Sequence, residues 1–128
     1  MGARELAEKD LFARHCGITL VHAGKGQATA KMEIQPHHLN GVGIVQGGAL
    51  FTLADMALAT ASNAYDVVAV GLTSSITYFK AESSGILFAK ATELSLRRTV
   101  ATYQVKVTNE QDELIAVFQG TVYRKNPK

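Results

Sequence analysis

Apolar and polar residues alternate along residues 27–35, which predicts a strand with one solvated face. The apolar side of this strand consists of Ala28, Ala30, Met32 and Ile34. Residues 18–22 are expected to pair with it through a turn at residues 23–26, and Pro36 then ends the hairpin. The first part of the predicted sheet is therefore an antiparallel hairpin.

Two segments have the periodicity of helices. Residues 3–15 bring Leu6 and Leu11 close to one stripe, which predicts a short N-terminal helix. Residues 47–65 combine large apolar residues with many alanines and leave almost no polar face. The second pattern is typical of a long buried helix.

Four further strands are expected after the long helix. They are predicted at residues 69–79, 86–96, 99–108 and 113–123. Because short connections join them, we expect consecutive strands to be antiparallel neighbours. An antiparallel sheet that curls around one apolar helix is the economical arrangement of these elements. The sequence therefore predicts a single α+β domain over residues 1–128.

Composition and charge exclude several classes of protein. The chain has 128 residues, 47% of them apolar and 19% charged, which is typical of one globular domain. Its net charge of +2 and its scattered basic residues argue against nucleic-acid binding. Cys16 is the only cysteine, and the N-terminal residues lack the apolar core of a signal peptide. We expect a cytoplasmic protein that does not associate with membranes.

Asp55 is the candidate catalytic group. It is the only charged residue between Gln35 and Asp66, and it lies in the middle of the apolar helix. A carboxylate withdrawn from water needs either a hydrogen-bond partner or a chemical task. A structural reading has Thr52 or a loop amide satisfying Asp55; the functional reading makes it a working carboxylate.

The start of the long helix is the second candidate feature. No Ser, Thr, Asp or Asn stands immediately before the first turn at Gln46, Gly47 and Gly48, so the first amides are expected to be free. Free amides and the helix dipole favour an oxygen that carries developing negative charge. A glycine pair alone more commonly marks a tight entry turn against the sheet. Together with Asp55, however, the pair outlines an oxyanion hole.

The distance between these two features predicts a site shared by two chains. Eight residues at about 1.5 Å each separate Asp55 from the Gly47 amide by roughly 12 Å along the helix. A carboxylate and an oxyanion donor that serve one carbonyl must lie much closer together. We therefore expect a two-fold dimer in which Asp55 of one chain meets Gly47 of the other.

Residues 38–55, HLNGVGIVQGGALFTLAD, closely resemble the PaaI-like (phenylacetic acid degradation) branch of hotdog-fold thioesterases. The matching features are an Asn seven residues before Gly47, the glycine pair, and an Asp eight residues after Gly47. A later strand, SITYF at residues 75–79, also matches, and the resemblance runs from about Cys16 to Tyr123.

The resemblance implies a hotdog fold, acyl-CoA bound between subunits, and dimers that often pair into tetramers. It implies no metal and no organic cofactor. Gly47 would polarise the thioester carbonyl through its amide, and Asp55 would act as nucleophile or as general base for water. Asn40 would hold the carbonyl or the water, and Thr73 or a nearby strand hydroxyl would orient the water. Which form of attack Asp55 uses stays open.

The sequence departs from this family pattern at Gln46, where many relatives carry His. Gln can form hydrogen bonds but cannot titrate, which argues against a proton shuttle at this position. Gln46 is therefore expected either to orient Asn40 and its loop or simply to pack in that loop.

Further residues are candidates for binding the substrate. The sequence suggests an apolar acyl pocket that suits aryl or medium-chain groups equally, formed by Leu50, Phe51, Met56 and Tyr78. Gly48 is a further candidate for contact with CoA or with the acyl group. Basic side chains could meet the phosphates of CoA, although a solvated turn is the commoner meaning of an arginine pair. These basic residues are Lys80, Arg97 and Arg98.

Other chemistries have weaker support in the sequence. The four histidines lack the spacing of metal ligands and are interpreted as loop or surface residues. Serine-hydrolase, P-loop and dinucleotide motifs do not occur. The expected reaction is hydrolysis of an acyl-CoA to the free acid and CoA. A hotdog dehydratase and a non-catalytic acyl-CoA sensor or scaffold are the alternatives.

Overall fold

The computed structural model describes residues 2–125. Its helices are α1 (Ala3–Glu8), α2 (Leu11–His15) and α3 (Gly47–Ser62), with a 3₁₀ turn at Pro36–His38. Its strands are β1 (Ile18–Gly24), β2 (Gln27–Glu33), β3 (Val68–Tyr78), β4 (Ile86–Leu96), β5 (Val100–Thr108) and β6 (Leu114–Lys125). Within residues 2–125, no helix has the length and apolar character needed to span a membrane.

One six-stranded sheet of order β1-β2-β4-β5-β6-β3 packs against α3, and every pair of neighbouring strands is antiparallel. Leu53 and Leu58 of α3 meet Tyr103 and Phe118 of the sheet in a fully buried core. Burial of these apolar side chains is the main force that holds the sheet around the helix. The predicted architecture, an antiparallel sheet around one long helix, is confirmed.

The position of β3 differs from the prediction that consecutive strands are neighbours. β3 pairs only with β6, while β4 lies between β2 and β5. The connection at residues 79–85 crosses between them, and its carbonyls are satisfied outside a hairpin: Val45 N donates to Glu82 O at 2.8 Å, and Ile34 N donates to Gly85 O at 2.8 Å. β3 is therefore an edge strand.

The single N-terminal helix predicted over residues 3–15 is instead two short helices. Asp10 has an extended backbone, and its side chain accepts a hydrogen bond from Ala13 N at 3.0 Å. Aspartate favours this N-cap geometry over a helix interior because its short side chain competes for nearby backbone amides. Asp10 therefore ends the first helical segment and starts α2.

Helix α3 begins at the predicted residue but ends at Ser62, before the predicted residue 65. Buried Asn63 ends it: its Nδ2 donates to Ala59 O at 2.7 Å, and its Oδ1 accepts from Ala69 N at 2.9 Å. One side chain thus satisfies a terminal helix carbonyl and ties the end of α3 to the start of β3.

Candidate active site

A cavity of 380 Å³ opens beside the first turn of α3. The loop before α3, the end of β3 and the connection after β3 form its walls. Four of the residues predicted from the sequence line it, namely Asn40, Gly47, Tyr78 and Lys80. The fold therefore brings together the predicted carbonyl-binding groups, two apolar walls at Leu50 and Ile115, and a cation.

Gly47 presents its backbone amide at the start of α3. No described residue accepts a hydrogen bond from this amide, while Tyr78 Oη donates to the Gly47 carbonyl at 3.1 Å. A Cβ at position 47 would lie 2.6 Å from Tyr78 Oη, which is closer than atoms can approach. Glycine therefore leaves room for this contact without a shift of the ring, and the free amide can donate to a ligand oxygen.

The prediction that all the first amides of α3 are free is wrong for Gly48. The Gln46 side chain caps the helix, because its Oε1 accepts from Gly48 N at 3.1 Å. Sequence reasoning missed this cap because the usual capping side chains are shorter. Gln46 therefore has a structural role as a helix cap, and this role needs no titratable side chain. Because the cap occupies the Gly48 amide, the Gly47 amide is the one that remains available.

Asn40 holds the loop in front of α3. Its side-chain Oδ1 accepts from Val42 N at 3.0 Å and from Ile44 N at 3.2 Å. The backbone N of Asn40 donates to Ile44 O at 2.8 Å. No described residue accepts from Asn40 Nδ2. The loop therefore occupies the acceptor of this side chain and leaves a donor beside the cavity.

Asp55 is exposed, not buried as the sequence predicted. It lies on the outer face of α3 with Gly48 and Thr52, because residues three and four apart share a helix face. The Thr52 hydroxyl donates to Gly48 O at 2.8 Å, so the structural reading in which Thr52 satisfies Asp55 is also wrong. Asp55 does not line the cavity beside Gly47 in its own chain.

The surroundings of Asp55 nevertheless favour its protonated form. Partial loss of hydration raises the pKa of its carboxyl above the usual range, and the negative charge of Asp10 raises this pKa further. Asp10 stands at the N-cap of α2. A carboxylate with a raised pKa binds a proton more strongly than an ordinary one, which suits a general base.

Thr73 points away from the other candidate groups. It pairs with Thr121, whose side chain is on the opposite face of β6 from buried Gly120 and Val122. A bulge between Gly71 and Thr73 shifts the alternation along β3, so Ser74, which pairs with Gly120, faces α3 instead. Thr73 therefore faces away from α3, while Ser74 is the nearby strand hydroxyl on the helix side, and the predicted role of Thr73 in orienting water stays a prediction.

The three basic residues predicted for CoA phosphates do not lie together in one chain. Lys80 lies at the cavity, where Glu82 is 2.9 Å and Glu113 3.8 Å away. The hydrogen bond to Glu82 raises the pKa of Lys80, so its positive charge is secured. Arg97 and Arg98 are in the β4–β5 turn, at the other end of the sheet.

A larger groove of 630 Å³ runs between α2 and the outer face of α3. Gln46, Gly48 and Phe51 line it, and Asn40 lines both this groove and the smaller cavity. Phe51 rests edge-on against Phe118, with ring centroids 5.1 Å apart. The two predicted acyl contacts on α3, Gly48 and Phe51, are thus separated from Tyr78 by the first turn of the helix.

Two residues near this region were not identified from the sequence. His38, interpreted as a loop or surface residue, is only 4% exposed, and Asp10 affects Asp55 across the fold. The burial of His38 and the effect of Asp10 on Asp55 both depend on contacts between distant segments, so no local sequence pattern predicts them. Among the described residues, no group of three or more His, Cys, Asp or Glu is placed to hold a metal ion.

Comparisons with known proteins give these features a context. The family model described as "Thioesterase superfamily" matches residues 42–116. The chain is 30% identical to the acyl-coenzyme A thioesterase PaaI of Escherichia coli over 123 residues, which is 95% of this chain and 88% of that protein.

Solved structures agree with the sequence matches. The structure of the E. coli PaaI protein from the phenylacetic acid degradation operon aligns with a TM-score of 0.94 and 28% identity, over 99% of this chain and 93% of that one. A mutant of the phenylacetic acid degradation protein PaaI from Thermus thermophilus aligns with a TM-score of 0.86 and 38% identity, over 90% of this chain and 99% of that one.

Proposed function

The chain belongs to the thioesterase superfamily, in its PaaI-like branch of hotdog-fold thioester hydrolases, and from this premise we propose that it hydrolyses acyl-CoA to a free acid and CoA. One observation carries the proposal. The unpartnered Gly47 amide and the donor side of Asn40 meet at one cavity, while Asp55 stands exposed on the same helix. These are the groups that thioester hydrolysis needs.

The thioester carbonyl binds between Gly47 N and Asn40 Nδ2. When the carbonyl carbon is attacked, its oxygen gains negative charge, and the two N–H donors stabilise that charge more strongly than they stabilise the neutral carbonyl. The dipole of α3, whose positive end lies at Gly47, acts in the same direction. This preference for the charged state is what lowers the activation barrier.

Asp55 drives the attack in one of two ways. As a general base, it takes a proton from water while the water oxygen bonds to the carbonyl carbon; the C–S bond then breaks, and the proton passes to the CoA thiolate. As a nucleophile, it forms an anhydride and expels the thiolate, and water then hydrolyses the anhydride. The raised pKa of Asp55 supports either role.

The second half of each site is proposed to come from a second copy of the chain. β3 is an edge strand of eleven residues, and several of its apolar side chains are open to solvent: Val68 is 51% exposed and Leu72 56% exposed. A long, exposed edge offers unpaired backbone groups to another strand. Antiparallel pairing of two β3 strands across a two-fold axis places Asp55 of one chain towards Gly47 of the other.

A charge on β3 is expected to separate the dimer. Leu72→Lys places an ammonium at an exposed bulge of the edge strand, so the monomer fold is kept while strand pairing is blocked. Light scattering should show a monomer, and kcat should fall about tenfold or more because both sites are incomplete.

The matched control is Val21→Lys, at the bulge of the opposite edge strand, where Val21 is 50% exposed. This variant should keep the mass and the activity of the original chain. A Leu72→Lys protein that is monomeric and fully active would exclude a shared site. The pairing of dimers into tetramers stays a prediction.

The two-fold arrangement also gives a place for the nucleotide end of CoA. Antiparallel pairing brings the Arg97 and Arg98 turn of one chain towards the Lys80 end of the other, because these groups lie at opposite ends of the sheet. Phosphate contacts would then come from both chains. A role in phenylacetic acid degradation and a cytoplasmic location remain parts of the proposal.

The direct test is thiol release from a panel of acyl-CoA substrates. Phenylacetyl-CoA, hydroxyphenylacetyl-CoA, benzoyl-CoA and medium-chain acyl-CoAs cover both the aryl and the aliphatic groups that the cavity and groove suit. Hydrolysis of one of these classes with a clear preference supports the proposal. Tight binding without thiol release would indicate a sensor, and loss of water from a 3-hydroxyacyl-CoA would indicate a dehydratase.

Removing the charge of Asp10 is expected to shift the pH dependence. The reaction needs ionised Asp55, so kcat/KM falls as the pH drops through the raised pKa of that carboxyl. Asp10→Asn removes the neighbouring negative charge and keeps a good N-cap for α2. The pKa of Asp55 should therefore fall, and the acid limb of the kcat/KM profile should move to lower pH.

Glu8→Gln is the control for this shift, because it removes an exposed carboxylate of α1 that does not contribute to the pKa shift of Asp55. Its acid limb should coincide with that of the original chain. An acid limb that stays in place in Asp10→Asn would show that the two carboxylates do not interact.

A further inference from the structure

His38 is buried, and both nitrogens of its ring are bonded to backbone groups. Nδ1 accepts from Gln35 N at 2.9 Å, and Nε2 donates to Cys16 O at 2.7 Å. The first contact is local, within the 3₁₀ turn, whereas the second joins two segments far apart in the chain. Cys16 is the C-cap residue of α2, so the ring ties the 3₁₀ turn to the N-terminal segment.

These bonds define the state of the ring. A carbonyl can only accept, so Nε2 carries the proton, and Nδ1 must be unprotonated to accept from Gln35 N. The ring is therefore neutral, with one nitrogen as donor and the other as acceptor. The His37 ring lies at a centroid distance of 4.3 Å from it, and His15 and Cys16 line the same groove.

The backbone of His38 closes the loop that carries the carbonyl-binding groups. His38 O accepts from Gln46 N at 2.8 Å, and Leu39 forms an isolated bridge with Val45. The loop between these contacts contains Asn40 and leads directly into Gly47. Any displacement of His38 therefore moves both ends of the loop.

We infer that His38 is a positioning residue: through its bond to Cys16 O it holds Asn40 and the Gly47 amide at the separation that the carbonyl oxygen requires. This inference rests on the proposed function. Donors of an oxyanion site act by being in place before the charge develops, and a displacement of about 1 Å can lower the rate a hundredfold. His38 does not line the cavity beside Gly47, so it acts on the carbonyl-binding groups only through the loop.

Three substitutions separate this role from a local packing role. In His38→Gln, the side-chain amide can reach Cys16 O but loses the contact with Gln35 N. In His38→Asn, the shorter side chain can keep the local contact but not the distant one. His38→Phe loses both. If His38 acts through Cys16 O, the His38→Gln variant should keep kcat within about threefold of the original value. The Asn and Phe variants should have a kcat about tenfold or more lower, with KM nearly unchanged.

The control is His22→Gln, an exposed histidine on β1, which should leave kcat and KM unchanged. Amide hydrogen exchange gives a readout that does not depend on turnover. The Gln46 amide, bonded to His38 O, should exchange faster in His38→Asn than in His38→Gln.

Equal kcat values for the Asn and Gln variants, with equal exchange at Gln46, would overturn the inference. If His38→Phe does not fold, the comparison of His38→Asn with His38→Gln still tests the positioning role. A wild-type chain that releases no thiol from any acyl-CoA would instead contradict the proposed function. The exchange experiment would still test whether the bond from His38 to Cys16 O holds the loop.

Discussion

Asp55→Asn is expected to lower kcat by about a hundredfold or more, because it removes the group proposed to attack the carbonyl carbon or to activate water. Asparagine has the same shape as aspartate but neither takes up a proton nor attacks a carbonyl at neutral pH. Asp55 is exposed and forms no hydrogen bond or ion pair with the described residues, so its replacement leaves the fold in place.

The measurement is thiol release at saturating substrate, together with the thermal unfolding midpoint of each variant. Asp66→Asn is the control: Asp66 is an exposed acid with a φ of 58°, a conformation that asparagine adopts readily. It should keep full activity. If Asp55→Asn turns over at the original rate, Asp55 is not the working carboxylate.

Gly47→Ala is expected to lower kcat by about a hundredfold, the scale of losing one oxyanion donor. The added methyl group would lie 2.6 Å from Tyr78 Oη and 2.9 Å from Tyr78 Cζ, so the first turn of α3 or the ring must move. Movement of the turn displaces the Gly47 amide, and movement of the ring breaks its hydrogen bond to the Gly47 carbonyl. Gly41→Ala is the control, because a Cβ there meets nothing within 4 Å.

Mixing the two inactive variants tests whether each site is shared. In a mixed dimer, one site combines intact Asp55 from one chain with intact Gly47 from the other, and the second site lacks both groups. Random pairing of equal amounts should therefore restore about a quarter of the original activity. If mixing is verified by mass spectrometry and no activity returns, both groups act within one chain.

Local patterns predicted the elements well because each depends on neighbouring residues. The strand at residues 86–96 and the start of α3 at Gly47 agree with the prediction. The alternation of buried and exposed side chains in β2 also agrees. Periodicity and a glycine pair are properties of a short window, and a short window is enough to determine them.

The features that were wrong depend on distant parts of the chain. β3 pairs with β6 because the connection at residues 79–85 crosses over instead of turning back. Asp55 was expected to be buried because its neighbours in sequence, Leu53, Ala54, Met56 and Ala57, are apolar. Those four side chains are buried, but Asp55 points to the face of α3 that the sheet leaves open in the single chain. Only the placement of the sheet decides which face of α3 is covered.

Single side chains were the hardest to predict. The bulge between Gly71 and Thr73 adds one residue to β3 and reverses the side to which Thr73 points. The capping bond of Gln46 and the burial of His38 likewise follow from how one loop closes on itself. A sequence pattern does not show which backbone groups such a loop brings together.

Tyr78 has a consequence for how assembly and catalysis depend on each other. Its ring extends from the end of the edge strand, and its hydroxyl donates to the carbonyl of Gly47, the residue whose amide is proposed to face the substrate. The phenol ring thus connects the surface where another subunit would attach to the first turn of α3, where the Gly47 amide is proposed to bind the carbonyl oxygen. Loosening the subunit contact would therefore slow even those molecules that stay associated, so turnover would report the quality of the pairing as well as its extent.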